Sequence, residues 1–199
     1  MRTRAPAEVT KNVRRLAQRI ASSHEPCFVP VLPAQNAKEN ECFENVSNVV
    51  SAEGGERVIG WAVWEWPNTL IEAELHAVWK SPDMRLTDVT PRSDGESRVL
   101  FIPDSSRAYT GDYVDNIRLA LRDDSVIEDF IALSQEFVRI TRVGKPGQEV
   151  RLPAHVVRPL AQHHSALAEM LKAGARDHDP CFCGSGRKYS KCHSLRRAR

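Results

Sequence analysis

Three cysteines and a histidine crowd into thirteen residues near the end of the 199-residue chain. Cys181 and Cys183 are separated by one residue, Cys192 and His193 are adjacent, and Gly184-Ser185-Gly186 offers a turn between the two pairs. Zinc prefers thiolate and imidazole ligands in tetrahedral sites, and four protein ligands leave no position for a reactive water. The spacing therefore predicts one structural Zn²⁺ ion held by Cys181, Cys183, Cys192 and His193.

A second group of residues, Cys42, His76 and Asp88, could form a cysteine-nucleophile triad. A helix is predicted over residues 40–52, so Cys42 would lie in its first turn, where the helix dipole favours a thiolate. A hairpin centred at Pro82 would pair residues whose numbers sum to about 164, which places Asp88 opposite His76 on one sheet face. Asp88 could then orient His76, and His76 could take the proton of Cys42.

An ordinary structural explanation exists for each of these three residues. A cysteine in the first turn of an amphipathic helix is commonly a small core residue, as Cys27 is also expected to be. A strand histidine near Glu72 or Glu74 is commonly only ion-paired. These two acids share one predicted strand face with His76, and that face could line a cleft or meet solvent. The sequence leaves open whether this part of the chain is an enzyme.

The elements that would position these residues predict an α+β fold. Helical spacing of apolar residues predicts helices over residues 8–22, 40–52, 125–139 and 153–173. Apolar runs separated by polar turns predict strands over residues 57–66, 70–80, 86–90 and 98–102, and a weaker extended segment over 27–32. We expect a small antiparallel meander of about four strands, flanked by helices and followed by a zinc knuckle.

Composition and charge distribution limit the possible functions. No apolar run approaches the ~18 residues that a membrane span needs, and the basic start of the chain lacks the continuous apolar segment of a secretory signal. A cytoplasmic protein is expected, with a main domain over 1–175 and a zinc module over 176–199. Residues 187–199 carry six basic residues and no acid. Such a tail can contact phosphate or an acidic protein surface, or can simply be a solvated terminus.

The four tryptophans fall within predicted strands and are expected to pack in the core rather than to form a platform for bases or sugars: Trp61, Trp64, Trp66 and Trp79.

The segment from Cys181 to His193 closely resembles the SEC-C motif, a zinc-binding module that also ends the preprotein translocase motor. Its pattern is Cys-x-Cys-Gly-Ser-Gly-x-Lys-Tyr-x-x-Cys-His, and the one evident departure is Phe182 where proline is usual. The resemblance implies zinc binding and docking to a protein, ribosome or nucleic-acid partner. Such docking should be salt-sensitive and lost when Arg196 and Arg197 are neutralised. Alternatively, the zinc ion only stabilises a short tail that could not fold without it.

The chain order of helix cysteine, strand histidine and aspartate on the next strand is similar to that of papain-like and transglutaminase-like hydrolases. This resemblance rests on topology and spacing, because no local signature of either family is present. It implies a cysteine hydrolase or acyl transferase with Cys42 as nucleophile, His76 as base and Asp88 as orienting group.

Overall fold

A computed structural model describes residues 3–20, 24–141 and 152–195, and this part of the chain has an α+β fold, as predicted. Its four α-helices are α1 (Lys11–Ile20), α2 (Cys42–Glu53), α3 (Ser125–Thr141) and α4 (Ala154–Lys172). Its six strands are β1 (Cys27–Pro30), β2 (Glu56–Trp66), β3 (Leu70–Lys80), β4 (Leu86–Thr87), β5 (Arg98–Pro103) and β6 (Ile117–Ala120).

The sheet has the strand order β1-β5-β2-β3-β4, and β6 pairs with β3. The predicted meander is therefore wrong about β5, which lies between β1 and β2 rather than beyond β4. Residues 99–102 of β5 are fully buried, and Phe101 lies opposite Cys27 of β1 and Ala62 of β2. A strand with four consecutive buried apolar residues is suited to the interior of a sheet, where both faces and both edges are covered.

The turn between β3 and β4 sets the position of Asp88. Trp79 lies opposite Thr87, so paired residue numbers sum to 166 and the predicted register is shifted by two residues. After Thr87 the chain leaves β3, because the N–H of Asp88 donates to the carbonyl of Pro30 and the carbonyl of Asp88 accepts from Leu32. Asp88 is thus held against the chain that follows β1.

Helix α2 packs its apolar side against β3 and the segment after β4. Cys42, Val46 and Val49 form a buried cluster with Ala77 and Val89. The helix ends at Gly54, which has a φ of 76° and donates its N–H to the carbonyl of Val50.

Three of the tryptophans are confirmed as core residues, and the fourth is half-buried; in chain order they are Trp61, Trp64, Trp66 and Trp79.

The described residues form two compact units. One comprises residues 3–67 and 71–119, and the other comprises residues 68–70, 120–141 and 152–195. In the second unit α3 packs against α4, which follows Pro153 and contains Pro159. The predicted division at residues 175 and 176 stays a prediction, because compactness does not show which segment folds or acts alone. Among the described helices, none has the length and apolar character needed to cross a membrane.

Candidate thiol site and metal centre

His76 and Asp88 form a buried pair in the first compact unit. The Oδ2 atom of Asp88 lies 3.0 Å from Nε2 of His76, and the two residues are 0% and 7% exposed, respectively. The predicted contact is present, but the two residues are not directly opposite as expected. Continuing the observed register would place Thr90 across from His76. Asp88 can still contact His76 diagonally, because a register shift of two residues leaves a side chain on the same face of the sheet.

Cys42, the first residue of α2, completes the group. It is 8% exposed, and its thiol is close enough to His76 to influence the ring through both hydrogen bonding and charge. Burial by itself lowers the pKa of His76, but the hydrogen bonds and charges of Asp88 and Cys42 outweigh it and raise that pKa to about 10. This favours an imidazolium beside the thiol. The three sequence-predicted residues are therefore in one place, while their catalytic role remains a prediction.

A buried polar network that the sequence did not reveal links α2 to Asp88. The Oδ1 atom of Asp88 accepts the backbone N–H of Thr90 at 3.0 Å, and the Thr90 hydroxyl accepts from Nδ2 of Asn45 at 3.2 Å. Asn45 also exchanges two hydrogen bonds with the backbone of Lys38, at 2.7 and 3.0 Å. Since Asn45 lies one turn after Cys42, this network fixes the start of α2 relative to Asp88. An asparagine on the apolar face of α2 was the available sequence signal.

Cys42 and His76 line a cavity of about 510 Å³. Its wall includes the stacked rings of Phe43 and Tyr109, whose centroids are 3.7 Å apart with an interplanar angle of 4°. Glu72 and Glu74 also line it, so the polar face of β3 borders a cavity. The thiol is consequently both packed in the core and reachable from an open space large enough for part of a substrate.

The metal-ligand prediction is matched by a four-residue cluster in the second compact unit. One candidate ligand atom from each of Cys181, Cys183, Cys192 and His193 lies within 4.8 Å of the other three. Nδ1 of His193 is 3.2 Å from the sulfur of Cys181 and 3.3 Å from that of Cys192, and the sulfurs of Cys183 and Cys192 are 3.6 Å apart. Tetrahedral zinc with ordinary bond lengths would separate its ligand atoms by about 3.5 to 3.8 Å. The cluster therefore fits a metal ion with little rearrangement.

The thiols of this cluster differ in acidity. Burial raises the pKa of Cys181 to about 11, whereas a side-chain hydrogen bond from Ser185 is the largest of the causes that lower the pKa of Cys183 to about 6. A divalent cation would hold both as thiolates, because a metal binds the deprotonated form. The four protein donors would complete its coordination, as in a structural site.

Tyr189 anchors the cluster within its unit. Its side chain is fully buried, and its hydroxyl donates to Oδ2 of Asp129 on α3 at 2.8 Å. The same carboxylate oxygen accepts the backbone N–H of Leu195 at 2.9 Å. The two glycines of the connecting turn, Gly184 and Gly186, have φ values of 74° and 72°, which side chains with a Cβ rarely adopt.

Comparison with known proteins identifies the metal segment alone. Residues 179–195 match the model of the SEC-C motif, a zinc-binding motif, and include all four candidate ligands. No curated protein and no solved structure matches the chain. Arg196 and Arg197 of the predicted basic tail lie outside the described residues.

Proposed function

We propose that the cavity at Cys42 is the active site of a thiol-dependent acyl transferase or hydrolase. The observation that supports this most directly is the hydrogen bond between the buried His76 and the Asp88 carboxylate, with the Cys42 thiol near enough to raise the pKa of the same ring. An imidazolium beside a thiolate supplies a nucleophile and a proton donor in one place. The cavity supplies access.

The reaction follows from these groups. The Cys42 thiolate attacks the acyl carbonyl carbon, and a carbon–sulfur bond forms while the carbonyl π electrons move to oxygen. When the carbonyl re-forms, the bond to the leaving group breaks, and that group takes the proton of the His76 imidazolium. Water or another acceptor then gives its proton to neutral His76 and attacks the thioester. The acyl group leaves, and Cys42 is restored as a thiolate beside imidazolium.

The first turn of α2 adds a place for the oxyanion. Backbone N–H groups in a first helical turn lack intrahelical acceptors, and the preceding Glu41 makes no side-chain cap bond. A carbonyl oxygen that becomes negative beside Cys42 would meet these donors and the positive end of the helix dipole.

An acyl-enzyme experiment tests the proposal. Zinc-loaded full chain is incubated with a simple thioester, N-acetylglycine thiobenzyl ester, and examined by mass spectrometry after acid quenching. We expect a mass increase equal to the acyl group on the peptide that contains Cys42, together with catalytic release of benzyl mercaptan. Both signals should vanish in Cys42→Ala and persist in Cys27→Ala, the matched control. Release that does not depend on Cys42 would refute the assignment.

A second candidate function belongs to the SEC-C segment, which we propose binds Zn²⁺ and docks an acidic protein or a ribosomal surface. The motif match and the basic residues 187–199 support it, as do Phe182 and Leu195, which are each 38% exposed beside the ligands. A cytoplasmic location belongs to the same proposal. A test is cosedimentation with purified ribosomes at two salt concentrations, with Cys192→Ser and the Arg196→Ala, Arg197→Ala double variant for comparison. Binding that neither variant weakens would refute docking through this segment.

A further inference from the structure

The wall of the thiol cavity is strongly acidic. Among the residues that the structure describes, five carboxylates line it, and Arg92 is the single arginine or lysine in the lining. The carboxylates are those of Glu39, Glu72, Glu74, Asp94 and Asp112.

Two of the five carboxylates are already neutralised by cations. Arg92 binds Asp94 through its guanidinium, with one contact of 3.1 Å, and also stacks 4.1 Å above the ring of Trp64. Burial by itself would raise the pKa of Asp94, yet its hydrogen bonds with Arg92 and the backbone lower that pKa overall. Glu72 accepts a hydrogen bond from Arg118 at 3.0 Å. Arg92 is therefore already bound to a carboxylate and does not offset the charge of the other acids.

The other three carboxylates have no cationic partner among the described residues. Glu74 accepts a hydrogen bond from the neutral indole of Trp64 at 2.8 Å, and Asp112 accepts one from the hydroxyl of Thr110 at 2.9 Å. All three are exposed. The wall therefore keeps a surplus of negative charge, and the His76 imidazolium below it is engaged by Asp88 and Cys42. Such a concave acidic surface concentrates cations and repels anions.

Glu74 also stands at a useful distance from the reacting groups. It lies two residues before His76 on β3, so the two side chains share a strand face about 7 Å apart along the strand. A lysine or arginine side chain on an acyl group attached to Cys42 can span this separation. We propose that the site selects acyl substrates that carry a positively charged side chain, and that Glu74 is the principal specificity residue. This inference rests on the proposed acyl-transfer function.

Electrostatic selectivity at Cys42 can be measured without turnover. Two methanethiosulfonate reagents, one with a trimethylammonium group and one with a sulfonate, are reacted separately with zinc-loaded full chain. Modification of Cys42 is followed by mass spectrometry, and the cation-to-anion rate ratio is divided by that of a small free thiol. A carboxylate about 7 Å from the reacting sulfur would speed the cationic reagent about threefold and slow the anionic reagent about threefold, so Glu74 alone should raise the ratio roughly sevenfold. Glu74→Gln should lower the ratio at least threefold, because glutamine keeps the acceptor for Trp64 but not the charge.

Substrate selectivity is measured next with the thiobenzyl esters of N-acetylarginine and N-acetylcitrulline, which differ in charge and are nearly equal in shape. We expect kcat/KM at least tenfold higher for the arginine ester, a preference that shrinks in Glu74→Gln and at high salt. Glu53→Gln, an exposed change at the end of α2, is the matched control and should leave the ratio unchanged.

The outcomes separate the two proposals. Cys42-dependent hydrolysis with equal rates for both esters would overturn the inference and leave the acyl-transfer function standing. Absence of Cys42-dependent hydrolysis of any ester would overturn both. Selectivity that persists fully in Glu74→Gln would remove Glu74 from the specificity role.

Discussion

Replacing Asp88 with asparagine should lower the reactivity of Cys42 at neutral pH. The pKa of His76 is about 10 against an ordinary 6.5, so the folded protein favours the imidazolium by roughly 4 to 5 kcal/mol. Asp88→Asn keeps an oxygen for the Thr90 N–H but removes the charge beside the ring, and burial then favours neutral imidazole. A hydrogen bond to a charged group contributes about 2 kcal/mol, so without it the ring should take a proton from the reacting Cys42 thiol up to about thirtyfold less readily.

The assay is iodoacetamide labelling between pH 5 and 9, with each cysteine peptide quantified by mass spectrometry. At pH 7, Cys42 should label up to about thirtyfold more slowly in Asp88→Asn than in wild type. Cys27 is an internal control in the same chain, because burial raises its thiol pKa and it should label slowly in both proteins. A folded Asp88→Asn protein that labels Cys42 as fast as wild type would show that Asp88 does not support the reactivity of Cys42.

Three further predictions concern the Thr90 hydroxyl, the pH dependence of stability and the metal cluster. Thr90→Val should lower the free energy of unfolding by about 1 to 2 kcal/mol in urea, because it removes a buried hydrogen-bond partner of Asn45, and Thr90→Ser should restore most of it. The pKa of His76 is raised on folding, so protonated His76 contributes its full stabilisation of the folded state below pH 6.5, and this contribution declines as the pH rises towards 10. Between pH 6 and pH 9, the free energy of unfolding measured in urea should therefore fall more in wild type than in His76→Gln. Metal analysis should find one zinc per chain and none in Cys192→Ser, and chelation should lower the melting temperature of wild type but not of this variant.

The metal cluster could be predicted from the sequence because all its parts are local. Four candidate ligands fall within thirteen residues, and turn glycines at positive φ bring them together with little dependence on the rest of the chain. What the sequence did not reveal is the support behind the cluster. The contact from Tyr189 to Asp129 joins residues sixty positions apart, and no local pattern indicates which buried acid a tyrosine will reach.

The contact between His76 and Asp88 was predicted correctly from a hairpin register that is wrong by two residues. An error of one residue would have turned Asp88 to the other face, whereas an error of two leaves it diagonal to His76 and within reach. The cause of the shift is not local either. Asp88 leaves the β3 ladder to pair with the chain after β1, some sixty residues earlier. For the same reason the place of β5 beside β1 could not be inferred from strand order.

The burial of Cys42 is compatible with both explanations that the sequence left open, and the environment of Asp88 supports the catalytic role that we propose. Packing against Val46 and Val89 holds the thiol still, as a nucleophile also requires. A carboxylate with no exposed surface, by contrast, costs several kcal/mol of desolvation that an ion pair repays only in part, and apolar residues of similar volume are often at least as stabilising. Core packing alone therefore gives no advantage to aspartate at this position. The pair with His76 does provide one, because it keeps a buried imidazole protonated beside a thiol that lines a cavity.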